Sequence, residues 1–125
     1  MDRLKDKIVL VTGAAGAVGG AVARAVRRAG GVAVTSDLAA QAGVDHVLDV
    51  TSEPDWQRAI GEIGRKHGHL DGLVNAAGLA LLGNIEETEF SAWRKILAVN
   101  LDGTFLGCKH AFALLKRKEI GRAHV

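Results

Sequence analysis

The chain contains no tyrosine, a single cysteine (Cys108) and a single proline (Pro54) in 125 residues. Without tyrosine, no phenolic hydroxyl can act as acid or base in this chain. A lone cysteine excludes an internal disulfide and suits a reducing compartment, so the expected location is the cytoplasm. Long apolar runs are missing as well. The opening MDRLKDKIVLV sets charges beside a very short apolar stretch, unlike a signal peptide. Nothing approaches the ~20 apolar residues of a membrane span. Neither sign of charge dominates, since 16 basic and 14 acidic residues leave a formal charge of +2. That balance gives no reason to expect nucleic acid or a membrane as partner. Metal-ligand spacing is also lacking. His67 and His69 flank Gly68 with no second pair to complete a site, so no metal is expected. No Ser-His-Asp arrangement suggests itself, and Cys108 reads as core.

What is present is enough apolar residue, 48%, for one core in a chain of one-domain length. Residues 7–11 (KIVLV) form a β-branched run ending at a glycine-rich turn, and predict a buried strand. A helix follows with the apolar stripe Val18, Val22, Ala25, Val26 and Ala29, stopped by Gly30 and Gly31. Residues 32–37 (VAVTSD) and 46–50 (HVLDV) predict a second and a third strand. Ser52 and Pro54 open a helix with Trp56, Ile60 and Ile63 on one face and Gly68 as its stop. Residues 72–78 (GLVNAAG) predict a fourth strand running into a loop of small residues. Thr88 is placed to cap a last helix whose stripe is Trp93, Ile96, Leu97, Leu101, Phe105, Phe112 and Leu115. Strands alternating with helices imply an α/β fold with a parallel sheet and right-handed crossovers.

The turn TGAAGAVGG, residues 12–20, lies between a strand and a helix, the setting of a dinucleotide fingerprint. Gly13, Gly16 and Gly19 remove side chains where a pyrophosphate must approach the backbone. The helix starting near Val18 offers free N–H groups and the positive end of its dipole. A tight strand–helix turn without ligand is the plainer alternative. Asp37 ends the second strand, where a carboxylate can accept from a ribose 2′-OH and would repel a 2′-phosphate, favouring NAD over NADP. A surface Asp in a turn is the competing reading. Asp49 and Val50 close the third strand, and residues 75–78 (NAAG) close the fourth. Both stand at carboxyl ends of parallel strands, where ligands bind in such sheets. Asp49 is placed to accept from an adenine amino group. Asn75 serves equally as a turn-stabilising amide. Asn100 sits inside the last helix with Gly103 and Gly107 after it, and an isolated Asn there is usually structural.

Together these pieces resemble the short-chain dehydrogenase/reductase family over residues 5–118. TGAAGAVG resembles the family turn T-G-x-x-x-G-x-G with Ala17 in place of its middle glycine. The same residues fit the T-G-x-x-G-x-x-G spacing of the family's extended, epimerase-like branch. NAAG at 75–78 and VNLDGTF at 99–105 resemble motifs of the single-domain branch, which is the preferred match. The resemblance implies a Rossmann-type parallel sheet with helices on both faces, here truncated to about four strands. It implies hydride transfer between NAD(P) and a secondary alcohol or ketone. Thr12, Gly13, Gly16, Ala17, Val18 and Gly19 would belong to the pyrophosphate turn, Asp37 to the adenosine ribose, and Asp49 and Val50 to adenine. Asn75, Ala76, Ala77 and Gly78 would flank the nicotinamide side. Asn100 matches the asparagine that anchors a water in the family's proton relay. The resemblance also implies a homo-oligomeric parent. GTFLGCKHA, residues 103–111, faintly resembles hydroxysteroid and cyclic-alcohol dehydrogenases.

In that family the serine and the Tyr-x-x-x-Lys pair follow the helix asparagine, and this chain has no tyrosine. The chain as written is therefore expected to hold the cofactor half and to be inactive alone. Residues 120–125 (IGRAHV) can be back-translated as ATC GGA AGA GCA CAC GTC, the core of a common sequencing-library adaptor whose next bases would give a stop codon. The expectation is a cofactor-binding portion over residues 1–118 and a non-native tail over 119–125, against a genuine basic C-terminus. An apolar fourth strand with an unpaired outer side predicts self-association. The alternatives are a non-catalytic NAD-binding or interaction protein, and a fragment of an extended-branch epimerase or dehydratase.

Overall fold

The computed structural model describes the backbone of residues 2–123 and the side chains of residues 2–117. The side chains of the expected tail, 119–125, lie outside the described residues. The elements are β1 (Ile8–Thr12), α1 (Ala17–Arg28), β2 (Val32–Asp37), β3 (His46–Val47), α2 (Glu53–His67), β4 (Gly72–Asn75), α3 (Phe90–Leu97), a π-helical turn (Ala98–Asp102) and α4 (Gly103–Ala123). The four strands run parallel in the order β3-β2-β1-β4. The α/β, Rossmann-type sheet expected from the sequence is present.

β1 is buried along its whole length because the sheet is covered on both faces. Its side chains alternate between two cores, as strand geometry requires. Val9 and Val11 pack with Ala23 and Val26 of α1. Ile8 and Leu10 pack on the other face with Trp56, Ile60 and Ile63 of α2 and Leu114 of α4. Ser52 caps α2 by accepting from the Asp55 N–H at 3.2 Å, and Gly68 ends it in the left-handed region at φ 83°. The Trp56 ring nitrogen donates to the Val50 carbonyl at 2.9 Å, so this large side chain is buried with its polar atom paired.

Four expectations are corrected. First, the buried face of α1 is Gly19, Ala23 and Val26, while Val18 and Ala25 are exposed. Second, β3 covers only two residues, because the Asp49 N–H leaves the sheet for Asp55 Oδ2 at 2.9 Å and Leu48 and Val50 turn into the core. Third, Thr88 does not cap a helix. Its hydroxyl donates to the Asn84 carbonyl, and Glu89 holds the cap position of α3. Fourth, the last helix is three segments, and the core face of α4 is Gly103, Gly107, Ala111 and Leu114, not the bulky stripe. Trp93, Leu101, Phe105 and Phe112 are all exposed, and so is Cys108, which was expected in the core but lies off the glycine face. The glycines explain the rotation. A Cβ on Gly103 would lie 2.7 Å from Val50 Cγ2, and one on Gly107 would lie 2.8 Å from Asn75 Oδ1. α4 packs this closely only along its smallest residues. β4 is an edge strand, half-buried, with no neighbour on its outer side among the described residues. No helix among these residues is long and apolar enough to cross a membrane.

Candidate functional site

The site forms where the loops after β1, β2, β3 and β4 converge at the carboxyl ends of the strands. β1 stops at Thr12 and the chain turns at Gly13, whose φ of 63° suits glycine. A Cβ there would lie 2.7 Å from both Cα and N of Ala77, so the turn after β1 presses against the backbone of the loop after β4. Thr12 ties the two together. It is 1% exposed, and its hydroxyl accepts from the N–H groups of Ala76 and Ala77, each at 3.1 Å.

Gly16 caps α1 without a side chain, and the first turn holds no acidic residue. The first helical bond runs from the Gly20 N–H to the Gly16 carbonyl at 2.8 Å, so the N–H groups of Ala17, Val18 and Gly19 precede it. Such an end attracts an anion through both its donors and its dipole. Gly19 brings α1 against the turn, where a Cβ would stand 2.2 Å from the Gly13 carbonyl oxygen.

A cleft of about 690 Å³ opens beside this turn. Of the residues singled out from sequence, Gly13, Gly16, Asp37, Asp49, Val50, Ala76, Ala77 and Gly78 line it. Asp37 is held in place at the end of β2. Its Oδ2 accepts from the Ala15 N–H at 2.8 Å and its Oδ1 from the Leu38 N–H at 2.7 Å. A carboxylate oxygen keeps a further lone pair for a ligand hydroxyl. Asp49 Oδ1 accepts from both the N–H and the hydroxyl of Thr51, at 2.9 and 2.7 Å, which leaves Oδ2 open. Behind Asp49, its own N–H bonded to Asp55 holds the Asp55 carboxyl below the usual carboxylate range.

Thr12, Ala17, Val18, Gly19, Asn75 and Asn100 do not line the cleft. Thr12 and Gly19 shape it from behind, as above. Asn75 turns toward α4, with its amide nitrogen 4.0 Å from Cys108 Sγ. Asn100 lies in the π turn and clamps the loop after β4 by a two-point contact. Its Oδ1 accepts from the Leu79 N–H at 2.8 Å, and its Nδ2 donates to the Leu79 carbonyl at 2.9 Å. This side chain positions a loop.

Ala15, in the turn already singled out, lines the cleft too, and the sequence reading missed the rest of the wall: Leu38, Leu48, Thr51, Leu79, Lys95, Ala98 and Val99. The one available signal was the spacing of residues 95, 98 and 99, which places them on one helical face. Three of the five histidines pair with carboxylates away from the cleft. His46 meets Glu62 at 3.0 Å, His69 meets Asp71 at 3.1 Å and His110 meets Glu53 at 2.6 Å. No group of three or more His, Cys, Asp or Glu among the described residues could hold a metal.

Residues 7–123 match the family model described as short chain dehydrogenase. The chain is 37% identical over 136 residues to the 3-alpha-(or 20-beta)-hydroxysteroid dehydrogenase of Mycobacterium bovis, covering 98% of this chain and 51% of that protein. It is 32% identical over 133 residues to the NADP-dependent (R)-specific alcohol dehydrogenase of Lentilactobacillus kefiri, covering 96% of this chain and 53% of that one. Among solved structures, the ligand-free aldohexose dehydrogenase of Thermoplasma acidophilum superposes with a TM-score of 0.85 at 33% identity, over 93% of this chain and 47% of that one. The chain spans about half the length of the curated relatives it matches.

Proposed function

The chain belongs to the short-chain dehydrogenase family, and we propose that it is the NAD-binding portion of an oxidoreductase acting on a secondary alcohol or ketone. The observation that carries this reading is the junction at Gly13, where the turn after β1 meets the backbone of residues 76–77 with no room for a side chain. Two backbones in contact beside an uncapped helix start form a cradle that a Cβ would fill. The cleft volume also falls within the ~300–1,000 Å³ of small-molecule sites.

The residues present fit a nicotinamide dinucleotide. Ala17, Val18 and Gly19 would donate N–H bonds to the pyrophosphate. Asp37 would accept from the adenosine ribose, and Asp49 through its open Oδ2 from the adenine amino group. When bound, nicotinamide supplies a two-electron carrier that accepts or gives hydride. The small residues 76–78 let that ring lie close to the backbone, and the Asn100 clamp on Leu79 keeps them in place.

NAD is preferred to NADP because the Asp37 carboxylate faces the place a 2′-phosphate would occupy. One relative is named as NADP-dependent, so this preference rests on Asp37 alone. The chain holds no tyrosine to move the alcohol proton, so it binds cofactor without turnover. The working enzyme is a longer, homo-oligomeric parent in the cytoplasm that continues beyond residue 118, with substrates of the hydroxysteroid or small-alcohol kind. A non-catalytic NAD-binding protein is the second reading, and it requires a native stop codon and measurable NAD affinity.

Calorimetric titration of this chain with NAD and NADP tests the binding claim. Tighter binding of NAD, with the preference lost in Asp37→Ser, is the expected result. Absence of binding to either dinucleotide would remove the reading. Sequencing the source DNA beyond the codon for Lys118 separates the two versions. A continuing frame with a Tyr-x-x-x-Lys pair supports the enzyme, and a native stop supports the binding protein.

A further inference from the structure

Lys95 is the only cation among the residues lining the cleft. It stands on α3 one helical turn before Val99, on the face that also presents Ala98, so its stem continues their apolar wall toward solvent. The neighbouring Arg94 is occupied elsewhere, 5.8 Å over the Phe90 ring. The Lys95 ammonium forms no ion pair or hydrogen bond among the described residues. The loop from Leu48 to Thr51 contributes to the same cleft. That loop carries the open Oδ2 of Asp49, an acceptor.

We infer that Lys95 is a specificity-determining residue of the adenine subsite, donating from its ammonium to an acceptor nitrogen of the base. The inference rests on the dinucleotide reading above and deepens it. An adenine edge shows an amino donor beside a ring-nitrogen acceptor. A free carboxylate oxygen and an unpaired ammonium in one cleft are the complementary pair. The phosphates have a separate partner in the open N–H groups of α1. A charge-assisted bond at an exposed lysine corresponds to about a threefold to tenfold change in affinity.

The test uses the full chain and three probes, adenosine, AMP and nicotinamide mononucleotide, together with NAD, titrated by NMR or calorimetry. Lys95→Met keeps the apolar stem and removes the charge. It is expected to weaken adenosine, AMP and NAD by the same factor, about threefold to tenfold, and to leave nicotinamide mononucleotide unchanged. Lys95→Arg is expected to restore most of the loss, and matching far-UV spectra show that each variant is folded. Unchanged adenosine affinity in Lys95→Met overturns the inference, and so does a loss confined to AMP and NAD, which would move the lysine to a phosphate. A wild-type chain that binds none of the probes overturns the dinucleotide reading and this inference with it.

Discussion

Thr12→Val removes one oxygen from the junction that builds the cleft and keeps the side chain's shape. The Thr12 hydroxyl is the common acceptor for the Ala76 and Ala77 N–H groups, at 3.1 Å each. The two donors do not lose equally. The Ala76 N–H also lies 3.2 Å from the Val74 carbonyl and keeps that partner, whereas no other acceptor serves the Ala77 N–H. One orphaned donor costs about 1–3 kcal/mol, and the half-buried loop admits some water, so about 1–2 kcal/mol is expected. For a chain of this size that is a fall in Tm of about 4–8 °C. Thr12→Ser loses a buried methyl instead, about 0.8 kcal/mol, and keeps the acceptor. Melting temperatures of the two variants are therefore close, and amide hydrogen exchange separates them. The Ala77 amide is expected to exchange slowly in the wild type and in Thr12→Ser and fast in Thr12→Val. Equal protection of Ala77 in all three proteins would refute the view that this hydroxyl holds the loop.

The remaining predictions bear on close approach, on the loop clamp and on pH. Gly19→Ala forces a Cβ to 2.2 Å from the Gly13 carbonyl oxygen, where backbone cannot yield, and is expected to destabilise by more than about 3 kcal/mol and abolish NAD binding in calorimetry. Gly61→Ala, whose Cβ meets only the end of Arg65 at 3.5 Å, is expected to raise stability by about 0.5–1 kcal/mol in urea melts through helix propensity. Asn100→Ala frees Leu79 and is expected to lower NAD affinity several-fold, while Asn100→Asp, which still accepts from the Leu79 N–H, keeps part of it. The hydrogen bonds from Lys109 and His110 hold the Glu53 carboxyl below its ordinary 4.5, so that contribution is complete above pH 4.5 and fades as pH falls further. Burial holds His67 below its ordinary 6.5, so its contribution is complete above pH 6.5 and fades below it. Melting temperature against pH is expected to fall in two stages, with Glu53→Gln flattening the lower and His67→Gln the upper.

The strand–helix alternation was legible because β1 and β2 are dense β-branched or apolar runs with glycine punctuation, which a doubly covered sheet requires. The helix α2 was legible almost residue for residue, since Ser52, Pro54 and Gly68 are local signals that act within one turn. Half of the cleft wall was legible for the same reason: Gly13, Gly16, Asp37 and Asp49 sit at strand ends that sequence alone locates. The other half comes from Lys95 on α3, from Ala98 and Val99 in the π turn and from loop residues such as Leu38 and Thr51, which reach the cleft only by tertiary placement. The roles of Thr12 and Asn100 were hidden too. Each acts on backbone more than 20 residues away in sequence, and a side chain's distant partner leaves no local pattern.

The misread face of α4 carries the wider point. Reading a helix by its largest apolar residues assumes that side chains make the contact, as in ridge-and-groove packing. Here α4 contacts the site's supports through glycines, with Gly103 against Val50 and Gly107 against Asn75 and Trp56. Each glycine costs the helix up to about 1 kcal/mol of propensity, which only the close approach offsets. Val50 is in the cleft wall and Asn75 begins the loop that meets Gly13. Moving α4 outward by one methyl group would shift both. The glycines of α4 do not themselves line the cleft, yet they pack against one of its wall residues, Val50, and against Asn75 at the start of the loop that forms another wall, so the large residues Phe105 and Phe112 are left to face away.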